Sequence, residues 1–121
     1  MKHTIYTLAL FIFLSIPTFS YSQNQQGMRH EFVKHGKHAS EMTLGDYVVL
    51  RVAASEINAK EMAEEIRKSG YTEVGYGYLT NKESWYIYIK SGNDIEEAKV
   101  IRDKYRKNER FKDAWLLTVH Q

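Results

Sequence analysis

Tyr47, Tyr86, Tyr88 and Trp115, with Arg51 and Lys90 close by in the chain, are the residues whose types and spacing point most directly to chemistry. Tyr86 and Tyr88 lie two positions apart, so a strand would set both rings on one face. Flat rings on such a face suit stacking on sugars or bases, and the arginine and lysine add donors for carboxylates or phosphates. The five histidines are less promising. His35 and His38 would align on a helix, but Gly36 between them weakens a helix, and a metal site needs more ligands and a rigid outer shell. No metal site is expected. The carboxylates Glu61, Glu64, Glu65, Glu96, Glu97 and Asp103 fall at the spacing of solvated helix faces. From position 46 onward the only histidine is His120, and there is no GxSxG, HExxH, P-loop or dinucleotide fingerprint. The expectation is therefore a non-enzyme, without catalytic residues and without cofactors.

Composition narrows the class further. The chain has 121 residues and no cysteine, which excludes disulfides, thiolate metal sites and an acylated cysteine. Lys and Arg number 17 against 15 Asp and Glu. Residues 46–121 carry thirteen of each sign, which argues against a polyanion partner held by charge. The stretch SWYIYIK lacks the basic-Gly-aromatic signature of an RNA-binding strand, so no nucleic-acid partner is expected. A mean hydropathy of −0.52 excludes a multi-span membrane protein.

The elements that must position the aromatic set follow from the pattern along the chain. Residues 1–22 have a basic start, an apolar run centred on Leu8 to Leu14, and Ser20-Tyr21-Ser22 before Gln23, which is the plan of a secretory signal peptide. The apolar run is shorter than the ~20 residues a spanning helix needs and Pro17 breaks its end. An exported protein of the periplasm or cell envelope, without a membrane anchor after cleavage, is the expectation. Residues 23–45 are polar and aperiodic and read as a flexible tether. Residues 46–121 read as one domain.

Within that domain, the run from Tyr47 to Ala53 reads as a strand. A helix follows, with Ala59, Met62, Ala63 and Ile66 on one side, a cap signal at Asn58 and Glu61, and Gly70 as its stop. Thr72 to Leu79 and Ser84 to Lys90 read as a hairpin. Asp94 caps a second helix, and Asp113 to Val119 is the last strand. A shift of 39 places Tyr47 on Tyr86, Val48 on Ile87, Leu50 on Ile89, Ala59 on Ala98 and Ile66 on Tyr105. Two βαβ halves of one kind make an α+β, ferredoxin-like βαββαβ domain, with four antiparallel strands and both helices on one face.

Strand parity then divides the side chains. Val48, Leu50, Val52, Trp85, Ile87, Ile89, Ala114, Leu116 and Thr118 should face the helices. Tyr47, Val49, Arg51, Ser84, Tyr86, Tyr88, Lys90 and Trp115 should face away. The parity of Gly75 to Tyr78 is open. An exposed aromatic face of this breadth is expected to be a binding surface; the alternatives are that tyrosine simply favours strands, or that the tether or a second copy covers the face.

Residues 46–119 resemble the SPOR domain, a bacterial peptidoglycan-binding module. The resemblance rests on YVVLRVAASEINAKEMAEEIRKSGY, on WYIYIKSGNDIEEAKVIRDKYR and on the terminal FKDAWLLTV. It implies a βαββαβ fold and binding of glycan strands, stripped of their stem peptides, through the sheet face that the helices leave open. It also implies work in cell division or cell-wall remodelling. The candidate glycan-binding residues are Tyr47, Val49, Arg51, Ser84, Tyr86, Tyr88 and Trp115. Val49 stands where the family commonly has a glutamine, Arg51 where it has a glycine and Ala53 where it has an aromatic residue. The alternative is a protein-interaction module in a cell-envelope or secretion assembly, using the same face.

Overall fold

The computed structural model describes residues 28–92 and 94–121. The expected signal segment, 1–22, lies outside these residues, as do the first residues of the expected tether. The chain is α+β, with two helices and a five-stranded mixed sheet. Its strands are β1 (His30–Lys34), β2 (Gly45–Ala53), β3 (Gly75–Leu79), β4 (Ser84–Lys90) and β5 (Trp115–His120). Its helices are α1 (Glu56–Lys68), between β2 and β3, and α2 (Ile95–Arg106), between β4 and β5.

The helices form where the apolar spacing requires them. Ser55 caps α1 by accepting from the Asn58 backbone N–H at 3.2 Å, so the cap lies three residues before the expected Asn58. Gly70, at φ +110°, takes the left-handed conformation that stops it. Asp94 caps α2 through the Glu97 N–H at 2.8 Å. Ala59, Ala63 and Ala98 are fully buried against the sheet, and their small size lets both helices approach closely. Ile66 and Tyr105, equivalent under the 39-residue shift, fill the same core with Val48, Ile87, Phe111 and Leu116.

The sheet order is β1-β5-β2-β4-β3. Strands β5, β2, β4 and β3 pair antiparallel, and β1 adds parallel to β5, from His30↔Leu116 to Lys34↔His120. The expectation of four antiparallel strands is thus corrected to five mixed strands. The fifth comes from the stretch expected to be a tether. In HEFVK, Val33 is buried, and the backbone pairing extends to an N–H of His35 donated to the His120 carbonyl at 2.7 Å.

After β1, residues 35–44 run to the opposite edge of the sheet. Met42 donates its N–H to Tyr78 O at 2.9 Å, and Tyr78 donates to Ser40 O at 2.9 Å, so this segment pairs with the outer edge of β3. The Glu41 carboxylate fastens the crossing. It accepts from the backbone N–H groups of Gly36 (2.9 Å), His38 (3.3 Å) and Thr80 (3.1 Å) and from the Thr80 hydroxyl (2.6 Å). Asn81 also donates to Lys34 O at 2.7 Å, so the end of β1 reaches the turn between β3 and β4. The sheet curls around its second face, and this face holds a second core: Val33, Met42, Tyr47, Val49, Leu79, Leu117 and Val119, with Tyr86 and Trp115.

One irregularity redirects two side chains. Between Val49 and Arg51 the β2–β4 register slips, with Val49 opposite Tyr88 and Arg51 opposite Ile87. This β-bulge places Leu50 and Arg51 on the helix side together and moves Val52 to the second face. The expected parity of Arg51 and Val52 is reversed for that reason.

Candidate functional site

The seven residues expected to form an exposed face do not form one. Tyr47 and Val49 are 1% and 0% exposed. The Tyr47 hydroxyl donates to Thr43 O at 2.6 Å and lies 3.0 Å from the Thr43 hydroxyl oxygen, so the crossing segment satisfies it. Tyr88 stands edge-on to Tyr47 at 4.7 Å and is half-buried. Burial raises the pKa of both phenols. Lys90 reaches over Tyr47 and donates to Thr43 at 2.6 Å. Tyr47 and Val49 are interior to the second core and Tyr88 packs against it, and the cause is the cover provided by β1 and residues 35–44.

Arg51 lies on the other side of the sheet. Its guanidinium donates to Leu50 O at 2.9 Å and Arg110 O at 2.7 Å, 5.3 Å from the centre of the Phe111 ring. Two carbonyls hold it as a structural cation beside the turn that follows α2. His38, one of the histidines weighed as a ligand, packs its ring against Tyr78 at 4.4 Å and accepts from Ser40 N–H through Nδ1 at 2.9 Å.

Tyr86 and Trp115 are likewise buried, at 5% and 6% exposed, but a charged cluster lies beside them. Tyr86 and Trp115 meet edge to face at 6.0 Å. The Arg29 guanidinium lies over the Trp115 ring at 3.8 Å, a cation–π contact. Arg29 also donates through Nε to Glu31 Oε2 at 2.9 Å, with Nη2 on the same oxygen. Lys82 Nζ sits 3.2 Å from Glu31 Oε1. Val52, turned to this side by the bulge, is 47% exposed. Ser84 is half-buried and donates to Lys82 O at 3.1 Å. The result is a rim where Arg29, Glu31 and Lys82 stand over the Tyr86–Trp115 pair. Their side chains are 49%, 26% and 44% exposed.

The electrostatics of the rim follow from that network. Burial alone would raise the Glu31 pKa, but the hydrogen bonds and charges of Arg29 and Lys82 outweigh it and hold the carboxyl below its usual value. Burial, with the Glu31 charge added, raises the Tyr86 hydroxyl, so it stays protonated. Near neutral pH the rim offers two cations and one carboxylate. Linked planar groups of this kind present neighbouring donors and acceptors, as vicinal sugar hydroxyls require.

Arg29, Glu31 and Lys82 were not among the expected site residues. The first two fall in the stretch that reads as tether, and Lys82 in a turn. The adjacent strand-favouring residues Phe32 and Val33 are the one signal that could have marked a strand there.

No protein-family model, no curated protein and no solved structure matches the chain. Among the described residues no helix is long and apolar enough to cross a membrane.

Proposed function

We propose that this chain is a non-catalytic, exported binding module of the bacterial cell envelope. It is a divergent relative of SPOR domains with a ferredoxin-like core, and it holds peptidoglycan glycan strands at the rim of its sheet. The SPOR resemblance and the order β5-β2-β4-β3 beneath two helices support the reading. The observation that carries it is the gathering of Arg29, Glu31 and Lys82 over Tyr86 and Trp115. The middle of the sheet contributes scaffold. A sugar chain lying across the rim would meet the guanidinium and ammonium as donors, the carboxylate as acceptor and Val52 as an apolar contact.

The test is co-sedimentation of the full chain with intact and with amidase-treated peptidoglycan, alongside an Arg29→Ala, Lys82→Ala double variant. The expected result is retention on the amidase-treated wall, weakened at least ~10-fold in the variant. Each lost charged hydrogen bond costs roughly 1.5–3 kcal/mol, and 1.4 kcal/mol is tenfold in affinity. Failure of the folded wild type on both walls would overturn the reading. Undiminished binding by the variant would remove the rim from it. Capture of an envelope protein without wall binding would favour the interaction-module alternative.

A further inference from the structure

A concave site lies on the helix side, away from the rim. It is a groove of about 530 Å³ between the loop after α1 and the end of α2, lined by Tyr71, Glu73, Lys104, Tyr105, Lys107 and Asn108. That volume falls within the range of small-ligand sites, roughly 300–1,000 Å³.

Its walls are rigid. Tyr71 packs against Tyr105 and Phe111, with both ring centroids at 5.4 Å. The Asn108 amide donates to the Tyr71 hydroxyl at 2.6 Å, and Asn108 is itself held by the Arg110 N–H on Oδ1 at 2.9 Å. The Tyr105 hydroxyl donates to Glu73 Oε1 at 2.7 Å. The ring wall and the carboxylate are therefore positioned before any ligand arrives, which lowers the entropic cost of binding.

Its charges are opposed but not joined. Tyr105's hydrogen bond, with the Glu73 backbone N–H and the Lys104 charge as smaller contributors, holds the Glu73 carboxyl below its ordinary value. Yet among the described residues neither Lys104 nor Lys107 makes an ion pair. A carboxylate and two ammonium groups line one groove, with an aromatic wall between the helices. A simple anion would meet Glu73, and a simple cation would meet the lysines. A ligand carrying both charges satisfies both.

We propose that this groove binds a short peptide with a free amine and a free carboxylate. The amine is held by Glu73, the carboxylate by Lys104 and Lys107, and the aliphatic part lies against Tyr71. This site does not depend on the glycan reading, since it shares no residue with the rim.

The test is an NMR titration of the full ¹⁵N-labelled chain with trialanine, with its N-acetylated form and with its C-terminal amide. The expected result is saturable shifts at Tyr71, Glu73 and Asn108, with affinity at least ~10-fold lower for each blocked peptide. Glu73→Gln should erase the effect of acetylation, and it leaves the Tyr105 bond an oxygen acceptor, so the fold is kept. Exchanging both lysines, Lys104→Met and Lys107→Met, should erase the effect of amidation. No saturable shift with trialanine, or equal binding of all three peptides, would overturn the proposal. Loss of wall binding in the rim variant, with these shifts intact, would confirm that the two sites are separate.

Discussion

The helix side of the sheet is covered by two amphipathic helices, and the second side by a single strand and an extended crossing segment. The first cover brings its own hydrogen bonds: each helix satisfies its backbone internally and offers a stripe of Ala59, Ala63, Ile66, Ala98 and Tyr105 to the sheet. The second cover has no such self-sufficiency. β1 takes its pairing from β5, residues 40–42 take theirs from β3, and the turn at Glu41 is held by four donors gathered from three residues. Yet both covers bury side chains completely, including Ile66 and Phe111 on one side and Met42, Leu79 and Leu117 on the other. An extended segment can therefore seal a sheet face as tightly as a helix, provided that polar side chains such as Glu41 and Asn81 satisfy the backbone groups that no ladder pairs.

This equivalence has its harshest test in removing one cover. Deleting residues 1–44 leaves Tyr47, Val49, Leu79, Trp115, Leu117 and Val119 without Val33, Met42 and β1 above them. Exposing an apolar side chain costs roughly 1.5–3 kcal/mol, and even partial exposure of this set approaches the ~5–15 kcal/mol that holds an ordinary domain together. The expected outcome is loss of a cooperative thermal transition and aggregation of the 45–121 fragment. A monomeric fragment with a sharp transition and dispersed amide signals would show that the second core is dispensable. The same magnitude argues against a removable strap: a ligand at the middle of the sheet would have to repay that whole cost before it showed any net affinity.

What the sequence made legible follows the same division. The helix-side core was readable because 3.6-residue spacing and capping residues are local signals. The alternation of Trp85, Ile87 and Ile89 against Tyr86 and Tyr88 likewise assigns those residues to the faces they occupy. The second cover was not readable, because its information is non-local. In HEFVK a single buried valine carries the strand, and in the crossing segment a single buried methionine carries the packing. Composition there is that of a tether. Its order comes from Thr80 and Tyr78, far along the chain. The bulge at Leu50 leaves no mark in the sequence, and it turned Arg51 from an expected ligand contact into a half-buried support for the loop at Arg110. Of the candidate site, the Tyr86–Trp115 pair follows from strand parity, whereas Arg29, Glu31 and Lys82 follow only from the curl of the sheet.

A matched pair of truncations sharpens the comparison at the level of one side chain. Ile66→Ala on the helix side and Met42→Ala on the second side each remove a side chain only 2% exposed. Such changes cost about 2–5 kcal/mol in a close-packed core, from lost transfer energy and the cavity left behind. Denaturant unfolding of the two variants is expected to place both within that range. A Met42→Ala cost far below that range, beside a normal cost for Ile66→Ala, would mean that the extended cover is loosely seated.

The smallest effect isolates the polar fastening from the apolar packing. Burial would raise the Glu41 carboxyl, but hydrogen bonds from the Thr80 hydroxyl and from the Thr80, Gly36 and His38 amides outweigh it, and the pKa falls below its ordinary 4.5. A carboxyl depressed in the folded state contributes stability that is fully present above the unfolded value. That contribution is lost as pH falls from about 4.5 through the lower folded value. Glu41→Gln keeps one acceptor oxygen toward Thr80 but removes the charge and turns an NH2 toward the Gly36 N–H, so it should cost about 1–3 kcal/mol near neutral pH. The difference between wild type and variant should shrink as pH falls below that point, because the protonated Glu41 carboxyl and the amide that replaces it are then both uncharged, each with one carbonyl oxygen as acceptor. Urea unfolding at about pH 7 and again at about pH 3, below the ordinary carboxylate value, measures this directly. A gap that stays constant across the two conditions would mean that the carboxylate's charge does not hold the crossing segment, and that the apolar contacts of Met42 hold it alone.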